Sequence, residues 1–245
     1  MHNMSFFTIV IPALNEEKYL PKLLTDLEKQ TFKDFEVIVV DGKSEDDTVE
    51  KVNKFKNKLS LKLLISSKRN VSFQRNLGAK ESNTNWIIFM DADNRLPKFF
   101  LEGVKYRISV ENPDVFTTWM DVDKKDNPIE EVVTNTLNIG LELIKIAKYP
   151  GAIGSMIGIK KSGYKKIGGF DINTEFSEDW QFVKDAFSHG LTFKIFKDPK
   201  YYYSMRRFRR MGNIKAIQKY AEVNLKTILN IKVTQDKDYP MGGKV

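Results

Sequence analysis

Two aspartates, Asp91 and Asp93, directly follow the apolar run from Trp86 to Met90, with Ala92 between them. Carboxylates at this spacing can converge on one hard cation. Mg²⁺ or Mn²⁺ held by one or two carboxylates usually completes its shell with substrate phosphates and water. Taken alone, however, the triplet is more typical of a turn after a strand. Its interpretation therefore depends on the polar residues around it.

Polar residues also mark the ends of other apolar runs in the first half of the chain. Arg69 and Arg75 lie at the start of a predicted helix, where a guanidinium suits a phosphate or the edge of a nucleoside. The remaining positions are Asn15 and Glu16 after the first run, Asp41 at the end of the second, and Ser72 to Gly78 at the helix start before Asp91. Four such motifs in succession indicate a binding site.

The elements that would position these residues alternate between strands and helices. Apolar, β-branched runs predict strands, and leucines at helical spacing between Glu16 and Gln30 predict an amphipathic helix. The predicted strands are Phe6 to Ile11, ended by Pro12, then Phe35 to Val40, Leu61 to Ile65, and Trp86 to Met90. This pattern predicts an α/β fold with a mostly parallel sheet and helices on both faces. In such sheets, ligands bind beyond the carboxyl ends of the strands.

The second half of the chain is less regular. A glycine-rich loop is predicted from Tyr149 to Gly158, and a basic amphipathic helix from Asn213 to Ile231. No linker is rich enough in proline or serine to mark a boundary. We therefore expect one domain over residues 1–245, with a nucleotide half over about 1–96, an acceptor half over about 97–212, and a C-terminal helix and tail over about 213–245.

Composition excludes several classes of protein. The 245 residues contain no cysteine, so disulfide frameworks, thiolate nucleophiles and iron–sulfur clusters are excluded. With two histidines, His2 and His189, a multi-histidine metal site is excluded too. No G-x-G-x-x-G or Walker A loop follows a strand. Because no apolar run is long enough to cross a bilayer and no signal-peptide pattern opens the chain, the cytoplasm is the simplest location.

The net charge is +8, which attracts anions such as nucleotides, nucleic acid or an acidic membrane face. The same excess also serves plain solubility. Charge alone therefore leaves the partner open.

The order and spacing of the motifs, from about Phe6 to about Gly212, resemble family 2 glycosyltransferases. The segments that carry the resemblance are Ile9-Val10-Ile11-Pro12-Ala13-Leu14-Asn15-Glu16-Glu17, Val39-Val40-Asp41-Gly42-Lys43-Ser44-Glu45-Asp46-Asp47-Thr48, Arg75-Asn76-Leu77-Gly78, Met90-Asp91-Ala92-Asp93, Gly168-Gly169-Phe170-Asp171, Ser177-Glu178-Asp179-Trp180 and Arg206 to Gly212. The resemblance implies a GT-A fold. It also implies inverting, metal-dependent transfer of a sugar from a nucleoside-diphosphate donor.

The resemblance further implies roles for individual residues. Asp91 lies on the ribose side, Asp93 binds the metal, and both are candidate ligands of Mn²⁺ or Mg²⁺. Asp179 is the general base. The residues expected to bind the nucleotide sugar are Pro12, Ala13, Asn15, Glu16, Asp41, Arg69, Arg75, Asp91, Ala92, Asp93, Glu178, Arg207 and Arg209. Many family members have two aspartates after the second strand, whereas this chain has Asp41-Gly42, which leaves UDP and GDP open as the donor.

The basic run from Arg206 to Arg210 surrounds Phe208 and precedes Gly212. A basic run of this kind is typical of a solvated turn, and mixtures of basic and aromatic residues also suit single-stranded nucleic acid. The resemblance instead implies a flexible loop that closes over the diphosphate. Arg209, three residues before Gly212, is the first candidate to contact the diphosphate, and Arg207 is also expected to bind the nucleotide sugar. No nucleic-acid partner is expected on this interpretation.

The preferred interpretation is transfer to a hydroxyl acceptor on a lipid-linked or polymeric glycan. Three other interpretations stay open, one with a different acceptor and two with a different function. A polyprenyl phosphate acceptor already carries a negative oxygen and needs no base. A nucleotidyltransferase would share the fold, but it usually has a glycine-rich basic loop where Pro12 to Glu17 stands. A non-catalytic module that binds nucleic acid or a membrane surface would depend on the +8 charge.

A long helix is predicted from Ile129 to Lys148, with an apolar stripe wider than one buried face requires. The stripe consists of Ile129, Val132, Val133, Leu137, Leu141 and Ile144, widened by Ile139, Leu143 and Ile146. One hypothesis is a core helix. The other is contact with an anionic membrane, which would make the protein peripheral on the inner face of the membrane.

Overall fold

The computed structural model describes residues 5–123, 127–146, 155–174 and 177–211. Within these ranges one seven-stranded sheet has the order β3-β2-β1-β4-β6-β5-β7. The strands are β1 Phe7–Ala13, β2 Phe35–Asp41, β3 Leu61–Ile65, β4 Trp86–Met90, β5 Val115–Val122, β6 Met156–Lys160 and β7 Phe193–Tyr203. Strand β6 is antiparallel to both β4 and β5, and the other neighbouring pairs are parallel.

Helices connect most of these strands and cover the sheet. They are α1 Leu20–Glu28, α2 Thr48–Asn53, α3 Val71–Glu81, α4 Phe100–Glu111, α5 Pro128–Ile146, α6 Lys161–Ile167, α7 Glu178–Ser188 and α8 Arg206–Met211. Strands β1 and β4 are buried at every position. Because successive side chains of a strand point to opposite faces, the centre of the sheet is covered on both sides. The predicted α/β class and mostly parallel sheet are confirmed.

The sequence predicted that strand β1 ends before Pro12, and this prediction is wrong. The strand continues to Ala13, and Pro12 and Ala13 pair with Val40 and Asp41 of β2. The pairing with β4 stops at Val10, so β1 has one neighbour beyond that point. Proline is tolerated at such a place because its missing N–H can face the side that carries no strand.

The predicted loop from Tyr149 to Gly158 is wrong over its last residues, because Met156 to Gly158 belong to β6. Gly158 lies within this strand, where its lack of a side chain allows close packing, and it does not form a turn. A Cβ atom at Gly158 would lie 2.1 Å from Cζ of Phe116 on the neighbouring strand β5. The part of the predicted loop before Ser155 lies outside the described residues.

Helix α5 forms where it was predicted, but it presents a different face to the protein. Glu130, Thr134, Asn138 and Leu141 are buried. Asn138 accepts a hydrogen bond from the Met120 amide (3.0 Å) and donates one to its carbonyl (2.8 Å). Several residues of the predicted apolar stripe are exposed instead.

No described helix is both long and apolar enough to cross a membrane. The predicted helix from Asn213 to Ile231 lies outside the described residues.

Candidate active site

The loops after β1 and β2 are joined by hydrogen bonds at the carboxyl ends of the strands. Asp41, which is 1% exposed, accepts hydrogen bonds from the backbone amide (2.9 Å) and hydroxyl of Ser44. The Ser44 hydroxyl in turn accepts one from the Asn15 amide at 2.8 Å. The Asn15 side chain accepts one from the Glu45 amide at 2.8 Å. Asp41 and Asn15 therefore shape the rim of the site.

Gln74 of α3 ties the ends of these two strands together. Its Nε2 donates to the carbonyl oxygens of Ala13 and Val40, both at 2.9 Å. A Cβ atom at Gly42 would lie 2.8 Å from Nε2 of Gln74 and 3.3 Å from the Ala13 carbonyl. A side chain at position 42 would therefore have to displace Gln74 from its place between the two strand ends.

Arg69 lies on the outer part of the rim. It pairs with Glu45 and donates to the Lys43 carbonyl at 2.9 Å. Its side chain is 47% exposed. Arg69 therefore holds the β2 loop, away from the buried centre of the site.

Arg75 joins the end of β4 to the start of α7. Its guanidinium donates to Asp91 at 3.0 Å and to Glu178 at 2.8 Å, and lies 5.1 Å from the ring centroid of Phe170. Burial disfavours the charge on Arg75, but Asp91, Glu178 and Asp179 outweigh it and raise the pKa of the guanidinium. The structure thus brings together residues 103 positions apart in the sequence.

Arg206, at the first position of α8, makes a second link across the site. It donates to both carboxylate oxygens of Glu16, at 2.9 and 2.6 Å, and its Nε lies 2.9 Å from Asp93. The guanidinium also lies over the ring of Tyr19, 4.4 Å from its centroid. Burial raises the pKa of the Glu16 carboxyl, although its bonds to Arg206 oppose the shift.

Sequence reasoning included Arg206 in the basic run but did not assign it to the site. The available signal was its position three residues after β7. Strand β7 runs in the same direction as β4, so its carboxyl end lies at the same edge of the sheet. Tyr19 was missed altogether. Its aromatic ring in the turn before α1 gave no chemical signal.

Asp179 lies in the first turn of α7, where its Oδ1 accepts a hydrogen bond from the Trp180 amide at 2.8 Å. Ser177, the residue before α7, has a positive φ of 57°. This conformation is uncommon for a residue other than glycine and turns the chain sharply into the helix. Asp179 lies close enough to Arg75 to affect the charge on the guanidinium.

Arg209 contacts helix α5. Its guanidinium forms hydrogen bonds to Glu130 at 2.9 and 2.6 Å and to Asp123 at 2.8 and 3.3 Å. These carboxylates raise the pKa of Arg209 despite its partial burial. In this structure Arg209 is held by the first turn of α5 and by Asp123 just before it. The backbone of Arg207 lies in α8, and its side chain is outside the described part.

Together these residues form an acidic cluster at the carboxyl ends of β1 and β4. It consists of the carboxylates Glu16, Asp91, Asp93, Glu178 and Asp179 and the guanidinium groups Arg75 and Arg206. When all are ionised, five negative charges face two positive ones. Ala92 is buried beside its two aspartates and separates them along the chain.

The acidic cluster fits a divalent cation that binds together with a phosphate group. Asp93 already holds a cationic group, the guanidinium of Arg206, so its surroundings accept positive charge. Among the described residues, no set of three or more acidic or histidine side chains is arranged to hold a metal alone. A cation here would therefore depend on oxygen ligands from the nucleotide, as Mg²⁺ commonly does.

A mostly parallel sheet with a polar cluster beyond the carboxyl ends of its central strands defines an α/β protein of the nucleotide-binding type. The model of the family described as Glycosyl transferase family 2 matches residues 8–168. The chain belongs to that family.

Individual relatives agree with this assignment. The chain is 28% identical over 212 residues to the poly(ribitol-phosphate) beta-N-acetylglucosaminyltransferase TarS of Staphylococcus aureus; the match covers 83% of this chain and 36% of TarS. This chain therefore spans little more than a third of that relative.

Solved structures show the same fold. The structure of S. aureus TarS 1-349 in complex with UDP has a TM-score of 0.66 and 25% identity, and covers 81% of this chain and 60% of the TarS chain. The mannosyltransferase PcManGT from Pyrobaculum calidifontis, solved with GDP-Man and Mn²⁺, has a TM-score of 0.67 and 17% identity, and covers 90% and 65% of the two chains. The predicted GT-A fold is confirmed.

Proposed function

We propose that this chain is an inverting glycosyltransferase that moves a sugar from a nucleoside-diphosphate donor to a hydroxyl group of a polymeric or lipid-linked glycan. The acidic cluster carries the proposal. Asp179 would be the base and Asp93 the cation ligand, and both lie with Arg75 and Arg206 near the sheet edge where this fold class binds nucleotides. The relative TarS is named as a poly(ribitol-phosphate) beta-N-acetylglucosaminyltransferase, and its structure was solved in complex with UDP. These two findings support UDP-N-acetylglucosamine as the first donor to test.

Donor binding uses residues of the first half. The rim built by Asn15, Asp41 and Ser44 would receive the nucleoside, and Asp91 would accept a hydrogen bond from the ribose. A Mn²⁺ or Mg²⁺ ion held by Asp93, with Asp91 nearby, would supply positive charge against the diphosphate as the bond to the sugar breaks. Arg206 would release Asp93 and turn toward the phosphates, since a guanidinium pairs with phosphate as well as with carboxylate.

Transfer requires a proton acceptor on the opposite side of the sugar. The acceptor oxygen would give its proton to a carboxylate oxygen of Asp179 while it bonds to the anomeric carbon. The bond from that carbon to the diphosphate oxygen breaks at the same time, and the electron pair leaves with the diphosphate. Arg75 would hold Glu178 in place through their hydrogen bond, so that Asp179 presents its side chain from a rigid helix start.

Calorimetric titration of UDP, GDP and their sugars tests the donor part of this proposal. We expect one nucleotide to bind strongly with Mn²⁺ and at least about tenfold more weakly with EDTA. The Asp93→Ala variant should lose the metal effect, and the Asp34→Ala variant, altered far from the cluster in the sequence, should keep it. Equal binding with EDTA and with Mn²⁺ would show that the metal assignment is wrong. Absence of sugar transfer from every donor tested would contradict the activity itself.

A further inference from the structure

The guanidinium of Arg206 lies between two carboxylates that belong to different loops. It donates to both oxygens of Glu16 after β1, and its Nε lies 2.9 Å from Oδ2 of Asp93 after β4. The side chains of Arg206, Glu16 and Asp93 are 10%, 7% and 16% exposed. These charges are largely removed from water, so salt screens them only weakly. We call this set of contacts the Arg206 bridge.

The Arg206 bridge supplies positive charge to carboxylates that repel one another. Burial raises the pKa of the Glu16 carboxyl, its bonds to Arg206 lower it, and the charges of Asp93 and Asp91 raise it again. The three carboxylates therefore lie close enough to interact. A guanidinium brings one positive charge to them, whereas a divalent cation brings two. A cation bound by Asp93 would thus neutralise this group more fully than Arg206 does.

A divalent cation and Arg206 compete for the same carboxylate. Mg²⁺ binds oxygen ligands at about 2.0–2.1 Å, so a cation on Oδ2 of Asp93 would lie beside the guanidinium that already contacts this atom. Two positive charges at such a distance, shielded from water, repel strongly. Arg206 therefore has to leave Asp93 before the cation binds there.

Release of Asp93 requires movement of the Arg206 side chain and not of helix α8. Arg209, one turn later in α8, is bonded to Glu130 and Asp123. Glu130 is almost fully buried, and a buried carboxylate that loses its arginine is strongly destabilising. This second arginine keeps α8 in place on α5. The long side chain of Arg206 can then exchange one partner for another while its backbone stays where it is.

We propose that Arg206 acts as an internal cation, which keeps a divalent metal off Asp93 until a nucleotide diphosphate offers the guanidinium a new partner. This inference rests on the proposed function, in which Asp93 binds the cation and Arg206 turns toward the phosphates. Metal alone would bind weakly, because a site that is open in one molecule in ten binds about tenfold more weakly than one that is always open. Metal and nucleotide would each strengthen the binding of the other.

Binding of Mn²⁺ alone to the full chain, followed by electron paramagnetic resonance without nucleotide, tests the competition. We expect Arg206→Gln to bind Mn²⁺ at least about tenfold more tightly than the wild type, because the competing guanidinium is gone. Arg69→Gln is the matched control. It removes the same charge from an exposed arginine that pairs with Glu45, so its Mn²⁺ affinity should stay within about twofold of the wild type.

A second comparison removes the effect of an unpaired Glu16 carboxylate on folding. The variants Glu16→Gln and Glu16→Gln/Arg206→Gln differ only at Arg206, and both leave Asp93 unchanged. The double variant should bind Mn²⁺ at least about tenfold more tightly than the single one. Because position 16 is neutral in both, the difference measures the competition of Arg206 for Asp93.

Several outcomes would overturn the proposal. They are equal or weaker Mn²⁺ binding in a folded variant that lacks Arg206, an equal gain in Arg69→Gln, and undetectable binding of Mn²⁺ in every variant. These measurements involve neither nucleotide nor sugar transfer. Transfer by the wild type together with unchanged Mn²⁺ binding in Arg206→Gln would overturn this inference alone. Absence of transfer from every donor, with tighter Mn²⁺ binding in Arg206→Gln, would contradict the proposed function and support the competition.

Discussion

Replacement of Arg75 by methionine tests whether the acidic cluster is held together by its buried guanidinium. The Arg75 side chain is 3% exposed and bridges Asp91 and Glu178, whose side chains are 35% and 14% exposed. Methionine fills much of the same volume but carries no charge. Glu178 would then be a nearly buried carboxylate that has lost its arginine partner, and Asp91 would lose the same partner.

The size of the effect follows from burial. Breaking a buried ion pair by removing one partner costs about 3–5 kcal/mol, because the other charge stays in a poorly solvated place. Domains of this kind are stable by about 5–15 kcal/mol, so the loss would be a large fraction of the total. Arg69 offers a matched control, since it also pairs with a glutamate but both side chains are about half exposed. Arg69→Met should cost about 0–1 kcal/mol.

Urea unfolding at pH 7 without nucleotide, followed by circular dichroism, measures both variants. A loss below about 1 kcal/mol for Arg75→Met, or one equal to that of Arg69→Met, would refute the reasoning. The double variant Arg75→Met/Glu178→Gln provides a second check. It removes the stranded charge, so it should recover part of the loss if desolvation is the cause.

Three further predictions concern the candidate base, the carboxylate of Asp114 just before β5, and a close contact in the sheet. Asp179→Asn should lower turnover on a hydroxyl acceptor by about 10²- to 10⁴-fold with donor affinity unchanged; turnover within a few-fold of wild type would point to a phosphate acceptor. Burial opposes the ionisation of Asp114, but hydrogen bonds from Thr192 and then Lys160 outweigh it and lower its pKa below 3.8. Its stabilisation is present above that pH and lost as pH falls through the lowered value, so Asp114→Asn should cost about 1–2 kcal/mol at pH 7 in urea unfolding, and less at pH 3. Gly158→Ala should cost at least about 2 kcal/mol, because the new methyl group would overlap the Phe116 ring; an unchanged melting temperature would contradict this.

The sequence predicted the first half of the fold well because each element there is local. Strands β3 and β4 begin and end where the apolar runs do. The polar residues after these runs converge because parallel strands end at one edge of the sheet. Asp91 and Arg75 could therefore be placed in one site from the pattern alone.

The second half depends on contacts that a local pattern does not contain. Glycine-rich sequence before Gly158 suggested a loop, whereas the glycine accommodates a ring from another strand. The inward face of α5 is polar because Arg209, 79 positions away, neutralises Glu130. Periodicity identifies the helix but not which face has a partner. The partnership of Arg206 with Glu16 spans 190 positions and was equally hidden.

The Gln74 side chain has a consequence for how the protein meets its ligand. Strands β1 and β2 are paired to their last residues, Ala13 and Asp41, and Gln74 adds a side-chain bridge to the carbonyl oxygens of Ala13 and Val40. The spacing of these two strand ends is thus set before any ligand arrives. A molecule that enters would not have to spend its binding energy on ordering these two strand ends, so selectivity between donors at this edge would arise from fit rather than from adaptation.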